Sequence, residues 1–143
     1  MSRIAIEEIE ELCAKELPWA VQLGLQVEEI GDGSCRVRLP DRKENLRPGG
    51  TVSGPAMMAL ADFSLYVAVL SRIGRVELAV TSQLSINFLR KPQPGDLVAE
   101  CRVIKGGRKL AYGEAFLYAE GRADGEPVAH VTGTYAIPEF AVS

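Results

Sequence analysis

Hydrophobic and polar positions along the chain change period several times, and each change marks an element. Residues 3 to 17 place Ile9, Leu12, Cys13 and Leu17 at helical spacing, with Glu7, Glu8, Glu10 and Glu11 in the early turns, where a helix dipole favours them. Pro18 is expected to end this helix. Leu25 to Ile30 and Ser34 to Leu39 read as short strands. The second alternates Cys35, Val37 and Leu39 against Ser34, Arg36 and Arg38, and Gly31-Asp32-Gly33 supplies the turn between the two. A charged, proline- and glycine-containing loop from Pro40 to Val52 follows. The next segment is apolar on nearly every face, as a helix wrapped on all sides must be. Ser53 suits its N-cap, Pro55 suits its first turn, and Gly74 stops it after Ile73.

The remainder alternates as strands: Glu77 to Arg90, Asp96 to Lys105, Lys109 to Gly121 and Pro127 to Ile137. Turn residues at Pro92-Gln93-Pro94-Gly95, Gly106-Gly107 and Asp124-Gly125 separate them. Simple alternation in the first puts Val80, Ser82, Leu84, Ile86 and Phe88 on one face and Thr81, Gln83, Ser85 and Asn87 on the other. The order helix, two strands, long helix, four strands predicts an α+β domain: an antiparallel sheet of about six strands curled around one long central helix, with an N-terminal helix beside it. All 143 residues fit a single domain.

Composition narrows the class without deciding it. With 47% hydrophobic and 24% charged residues and a formal net charge of -3, the chain reads as an ordinary soluble globular protein, and no stretch carries the cation density that a nucleic-acid backbone requires. The N-terminus is acidic rather than basic and apolar, so no export signal is read and a cytoplasmic location is expected. The longest nearly apolar run, Ala56 to Leu70, is short for a membrane span and contains Asp62; it is expected to be core. Cys13, Cys35 and Cys101 are odd in number and far apart, and read as reduced, buried small hydrophobes. No His/Cys cluster fits a metal site, and the single histidine, His130, shares a strand face with Thr132 and Thr134, which suggests a surface or interface residue.

The candidate chemistry centres on Asp62. Aspartate is a poor interior helix residue, and a buried carboxylate is costly unless a partner, a pKa shift or a function compensates. It lies about two and a half turns beyond Ser53, too deep for a capping role. The segment leading into the helix, Gly49-Gly50-Thr51-Val52-Ser53-Gly54, is rich in glycine, and its backbone N–H groups could polarise a carbonyl oxygen or hold an anion.

These residues resemble a known signature. Asn45-Leu46-Arg47-Pro48-Gly49-Gly50-Thr51-Val52-Ser53-Gly54-Pro55, followed by Ala59-Leu60-Ala61-Asp62, is similar to the pattern of hotdog-fold acyl-CoA thioesterases of the phenylacetate-degradation type, in which an Asn, a His-Gly-Gly and a helix Asp recur in this order. Val80 to Pro92, followed by Gly95-Asp96-Leu97, agrees with the same family, and the resemblance spans Pro18 to Pro138. It implies Asp62 as general base or nucleophile, the Gly54 N–H as donor to the thioester oxygen, Thr81 as the hydroxyl that places water, and Asn45 as the asparagine near the thioester. It further implies that Ser53 borders the substrate and that Arg90, Lys91, Lys105, Arg108 and Lys109 meet coenzyme A phosphates. No cofactor beyond the coenzyme A of the substrate is implied, and no metal. The resemblance also implies self-association as a homodimer or homotetramer, with each site built from two chains; a bare edge strand independently invites such pairing.

The chain departs from the pattern at four points. Ser53 stands where the family has histidine, Pro55 replaces a glycine, Gln83 replaces an Asp, and Asn45 lies about two residues farther upstream. Two rivals to hydrolysis therefore stand beside it: a non-catalytic acyl-CoA binding module, and an acyl-thioester dehydratase or hydratase, which would need a histidine paired with the acid.

Overall fold

The structure is a computed structural model that describes residues 1–120 and 125–138. The elements, in chain order, are α1 (Ile6–Glu16), α2 (Pro18–Leu23), β1 (Gln26–Gly31), β2 (Ser34–Leu39), a short 3-10 turn at Lys43–Asn45, α3 (Gly54–Ile73), β3 (Val80–Phe88), β4 (Leu97–Gly106), β5 (Leu110–Ala119) and β6 (Ala129–Ala136). The six strands form one antiparallel sheet in the order β1-β2-β4-β5-β6-β3. The sheet curls around α3, so the expected α+β architecture is present. The predicted turn residue Asp124 and the strand end at Gly121 lie outside the described residues.

Pro18 does end α1, but it also opens a second, short helix. It occupies the first turn of α2, where its missing N–H costs nothing, and Gly24, at φ 74°, closes that helix. The α1–α2 pair buries Ile9, Leu12 and Cys13 and lies beside α3.

The boundaries of α3 follow from its ends. The Ser53 hydroxyl accepts from the Ala56 N–H at 3.2 Å, and Gly74 terminates the helix. At 20 residues α3 is longer than the apolar run read from the sequence and passes for a membrane span by length and composition alone, but the sheet buries most of it, as expected of a core helix. Close approach is secured where Gly113 of β5 and Gly133 of β6 pair beneath Leu65. A Cβ on Gly133 would sit 2.8 Å from the Leu65 Cδ1, and one on Gly113 would sit 2.8 Å from the Arg102 carbonyl oxygen.

The outer face of the sheet is polar. Arg38 bridges Glu28, Asp96 and Glu120, and Arg36 bridges Glu29 and Glu100. The inner face of β2, β4 and β5 carries Val37, Leu39, Ala99 and Leu117. All three cysteines are buried free thiols.

β3 corrects the sequence reading. Its pairing with β6 shifts register between Thr81 and Gln83, the mark of a bulge at Ser82. Because the side-chain period of a strand is two, one inserted residue reverses the phase. Thr81 therefore lies inward, opposite Tyr135, on the same face as Leu84 and Ile86, and Val80 is turned outward with 58% of its surface exposed.

Candidate active site

The bulge in β3 sets the surroundings of Asp62. The Thr81 hydroxyl donates to Asp62 Oδ1 at 2.7 Å, and the Tyr135 hydroxyl donates to the same oxygen and, at 2.8 Å, to the Asp62 carbonyl. Two hydroxyls from two neighbouring strands thus hold a carboxylate midway along an apolar helix and compensate part of its desolvation. Burial, reinforced by the neighbouring carboxylate, pushes the Tyr135 phenol well above its ordinary range, so Tyr135 keeps its proton and serves as a hydrogen-bond donor. Tyr66 lies beside it, with ring centroids 6.0 Å apart; its hydroxyl donates to the Glu77 carbonyl at 3.1 Å, and burial and then Glu77 push its pKa up to about 12. The carboxylate opens into a small hollow of about 150 Å³ lined by Leu17, Trp19, Phe63, Tyr66 and Val80.

Tyr135 is absent from the site expected on sequence. Its one signal is a hydroxyl-bearing ring on the strand face that carries Val131 and Gly133 rather than the face of His130, Thr132 and Thr134, a position where a buried phenol needs a partner.

Gly54 sits eight residues before Asp62, which is roughly 12 Å along the helix axis. It borders a different and much larger cavity of about 640 Å³, together with Arg47, Met57, Phe88, Arg90 and Lys91. The Phe88 ring packs on it, lying 3.5 Å from where a Gly54 Cβ would be. The glycine-rich approach is not the array of free donors expected from sequence. Gly50 donates its N–H to the Arg47 carbonyl at 3.0 Å, and the Ser53 N–H goes to the Asn45 carbonyl at 2.7 Å. Gly49 and Gly50, at φ 97° and 83°, instead serve the turn, a conformation that side chains rarely adopt. In the first turn of α3, Pro55 has no N–H, Ala56 donates to the Ser53 hydroxyl and Met57 to the Ser53 carbonyl, so among the described residues the Gly54 N–H is the donor that remains at this helix start.

Asn45 lies under this helix start and not beside Asp62. It is buried, and its Nδ2 is the one buried side-chain polar atom without a hydrogen bond among the described residues. Ser53 is the cap. Arg90 borders the large cavity but is committed in part: its Nε donates to the Pro127 carbonyl at 2.9 Å and a terminal nitrogen pairs with Glu126 at 2.6 Å. Lys91 and Arg47 complete the basic rim. Arg47 stands inside the very motif that carries the resemblance, yet only the folded chain marks it as a rim cation. Lys105, Arg108 and Lys109 lie elsewhere, around the β4–β5 turn, where Gly106 meets Arg72 at the far end of α3. Within one chain, then, Asp62 and Thr81 come together, Gly54, Ser53, Asn45, Arg90 and Lys91 form a second group, and the β4–β5 cations a third.

His130 is on the outer face of the sheet, opposite to Asp62. Its Nε2 is 3.1 Å from Glu114 Oε2, its ring packs tilted against Phe116 with centroids 4.6 Å apart, and the Glu114 carboxyl is held below its usual range, first by His130 and then by Arg102. No group of three His, Cys, Asp or Glu residues suited to a metal occurs among the described residues.

The sequence profile of the thioesterase superfamily matches residues 49–126, the span that runs from the glycine turn through α3 to β5. The chain belongs to the thioesterase superfamily. Membership assigns its chemistry to thioester hydrolysis in general. A candidate esterase from Halobacterium salinarum is 32% identical over 117 residues, which cover 78% of this chain and 77% of that protein. A candidate thioesterase from Silicibacter sp. TM1040 has a structure that superposes with a TM-score of 0.85 at 40% identity, covering 96% of this chain and 94% of that one. A variant of the phenylacetic acid degradation protein PaaI from Thermus thermophilus superposes with a TM-score of 0.74 at 27% identity, covering 85% of this chain and 99% of that one. The sheet wrapped around α3 is the hotdog fold of this superfamily.

Proposed function

We propose that this thioester hydrolase cleaves acyl-CoA, and that each of its sites joins Asp62 of one chain to the Gly54 N–H of a second. The observation that carries this reading is the layout of β3. Thr81, bound to Asp62, stands at the start of that strand, and Phe88, packed on Gly54, stands at its end. β3 is an edge of the sheet, and apolar residues are exposed on it and around it at Leu78, Val80, Phe88 and Leu89. If two copies of β3 pair antiparallel about a two-fold axis, the start of each lies beside the end of the other. The small acidic hollow of one chain then faces the large, basic-rimmed cavity of its neighbour. Neither half is complete alone.

A substrate with an apolar acyl group and a polyanionic carrier matches the two halves. The acyl end suits the hollow at Asp62, and the phosphates suit the rim of Arg47, Arg90 and Lys91, local positive charge on a chain whose net charge is -3. The carbonyl oxygen accepts from Gly54 at the positive end of α3. Among the described residues, Thr81 and Tyr135 both donate to Oδ1 of Asp62, which leaves Oδ2 to take a proton from water. The hydroxide oxygen bonds to the carbonyl carbon, the C–S bond breaks, and the coenzyme A sulfur leaves with the proton that Asp62 held. In the alternative course Oδ2 bonds to the carbonyl carbon, the C–S bond breaks and coenzyme A leaves as the thiolate; water then cleaves the resulting anhydride, which frees the acid, restores the Asp62 carboxylate and supplies the proton that the thiolate takes up. The position of His130 on the outer face argues against a dehydratase, which would need it beside the acid.

Thiol release from a panel of acyl-CoA esters, wild type against Asp62→Asn, tests the reading. Turnover in the wild type that falls to background in the variant supports it. Binding of acyl-CoA with no release by either protein supports the binding module in its place.

A further inference from the structure

The hollow at Asp62 is bounded on the side away from β3 by α3 and the α1–α2 segment. Thr81, Val80 and Tyr135 come from the sheet; Leu17 and Trp19, from the α1–α2 segment, and Phe63 and Tyr66, from α3, form the other wall. Trp19 and Phe63 meet edge to face, with ring centroids 6.1 Å apart at 87°. Tyr66 is tethered through its hydroxyl to the Glu77 carbonyl. A second hollow of about 280 Å³ is lined by Ile9, Cys13, Ala20, Val21, Leu25 and again Phe63. Phe63 is the one residue that borders both spaces, so its ring, braced by Trp19, is the partition between them.

Size then sets the substrate. The accessible space at Asp62 is about 150 Å³. About one benzene ring occupies such a volume, so the space between the Asp62 carboxylate and the Phe63 wall takes an acyl group of roughly six carbons. We infer that the Phe63–Trp19 pair is an acyl-length stop, which restricts the site to short-chain or single-ring acyl groups, and that opening the stop admits medium-length chains into the hollow under α1 and α2. This inference rests on the acyl-CoA reading above and extends it from the carrier to the acyl group.

Trp19 is the only tryptophan in the chain and is part of the wall, so its fluorescence reports occupancy without turnover. The experiment uses the full-length Asp62→Asn protein, titrated with non-hydrolysable thioether analogues of acyl-CoA from acetyl to dodecanoyl. Affinity is expected to rise with chain length to about six carbons and then to fall at least roughly tenfold for the octanoyl and longer analogues. Phe63→Leu, which keeps much of the core volume, and Phe63→Ala should each recover roughly tenfold in affinity for the longer analogues. Trp19→Leu, followed by calorimetry, should do the same. A wild-type profile that rises without a break to dodecanoyl overturns the stop while leaving the acyl-CoA reading intact. An unchanged profile in folded Phe63→Leu also overturns it. Absence of binding at every length, acetyl included, overturns the acyl-CoA reading and the stop together.

Discussion

The two ends of β3 are built on opposite plans. At its start, around Thr81, a carboxylate is held by two hydroxyls in a small hollow whose walls are otherwise mainly aromatic and aliphatic. At its end, around Phe88, a helix N-terminus opens into a much larger cavity, with arginine and lysine on its rim. Among the described residues, the first is lined by an acid but by no oxyanion donor; the second is lined by the Gly54 N–H and by cations but by no acid. A site for a bipartite substrate divides naturally along this line, because the group that must be desolvated for proton transfer and the groups that must attract phosphate from water need opposite environments. The geometry of an edge strand then lets one element carry both halves.

The contrast can be broken most strongly at the acid. Asp62→Asn is expected to lower kcat for thiol release by about 10²- to 10⁴-fold, with the protein still folded, as measured by release assays and thermal unfolding. At the other end, Gly54→Pro removes the first N–H of α3. Ser53, at φ -70° and ψ 151°, already has the conformation that precedes a proline. The expected loss is about 10²- to 10³-fold in kcat. Gly54→Ala, which keeps the N–H and meets Phe88 at an ordinary contact distance, should retain most of the activity.

Tyr135→Phe sharpens the difference instead of abolishing it. Loss of a hydrogen bond to a carboxylate should cost about 1.5–3 kcal/mol in denaturant unfolding. The pH dependence has a definite sign. The folded pKa of Tyr135 is raised above its ordinary value of 10.0, so the stability it contributes is fully present below that pH and declines as pH rises beyond it. Between pH 10 and the onset of alkaline unfolding, the stability of the wild type should fall more steeply than that of Tyr135→Phe. Ser53→Ala has the smallest effect. It should lower stability by about 1 kcal/mol through loss of the cap while leaving kcat within a few-fold, since Ser53 builds the donor end and takes no proton.

Much of this arrangement was legible in the residues themselves. The limits of α3 follow from Ser53, Pro55 and Gly74, because capping is local chemistry, and Asp62 stood out because a carboxylate in an apolar helix has few explanations. The α+β order followed from the change of period after Gly74. What escaped was set by contacts distant in sequence. A bulge at Ser82 has no side-chain signature, yet it moved Thr81 from the expected outer face onto Asp62. Tyr135 reads in sequence like any strand tyrosine until its partner strand is known. Pro18 suggested an end and proved also to be a beginning, because the same missing N–H fits both. The basic residues divided between the two ends of α3 because charge in a sequence carries no direction.

The central claim, that each site takes Asp62 from one chain and Gly54 from another, is tested most directly by complementation. Asp62→Asn and Gly54→Pro chains carrying different tags are co-expressed, and the mixed dimer is isolated through both tags. A site shared between chains leaves one of the two sites wholly intact, and the mixed dimer should show about half the wild-type kcat per dimer although each parent variant is nearly inactive. A mixed dimer no more active than its parents would contradict the account.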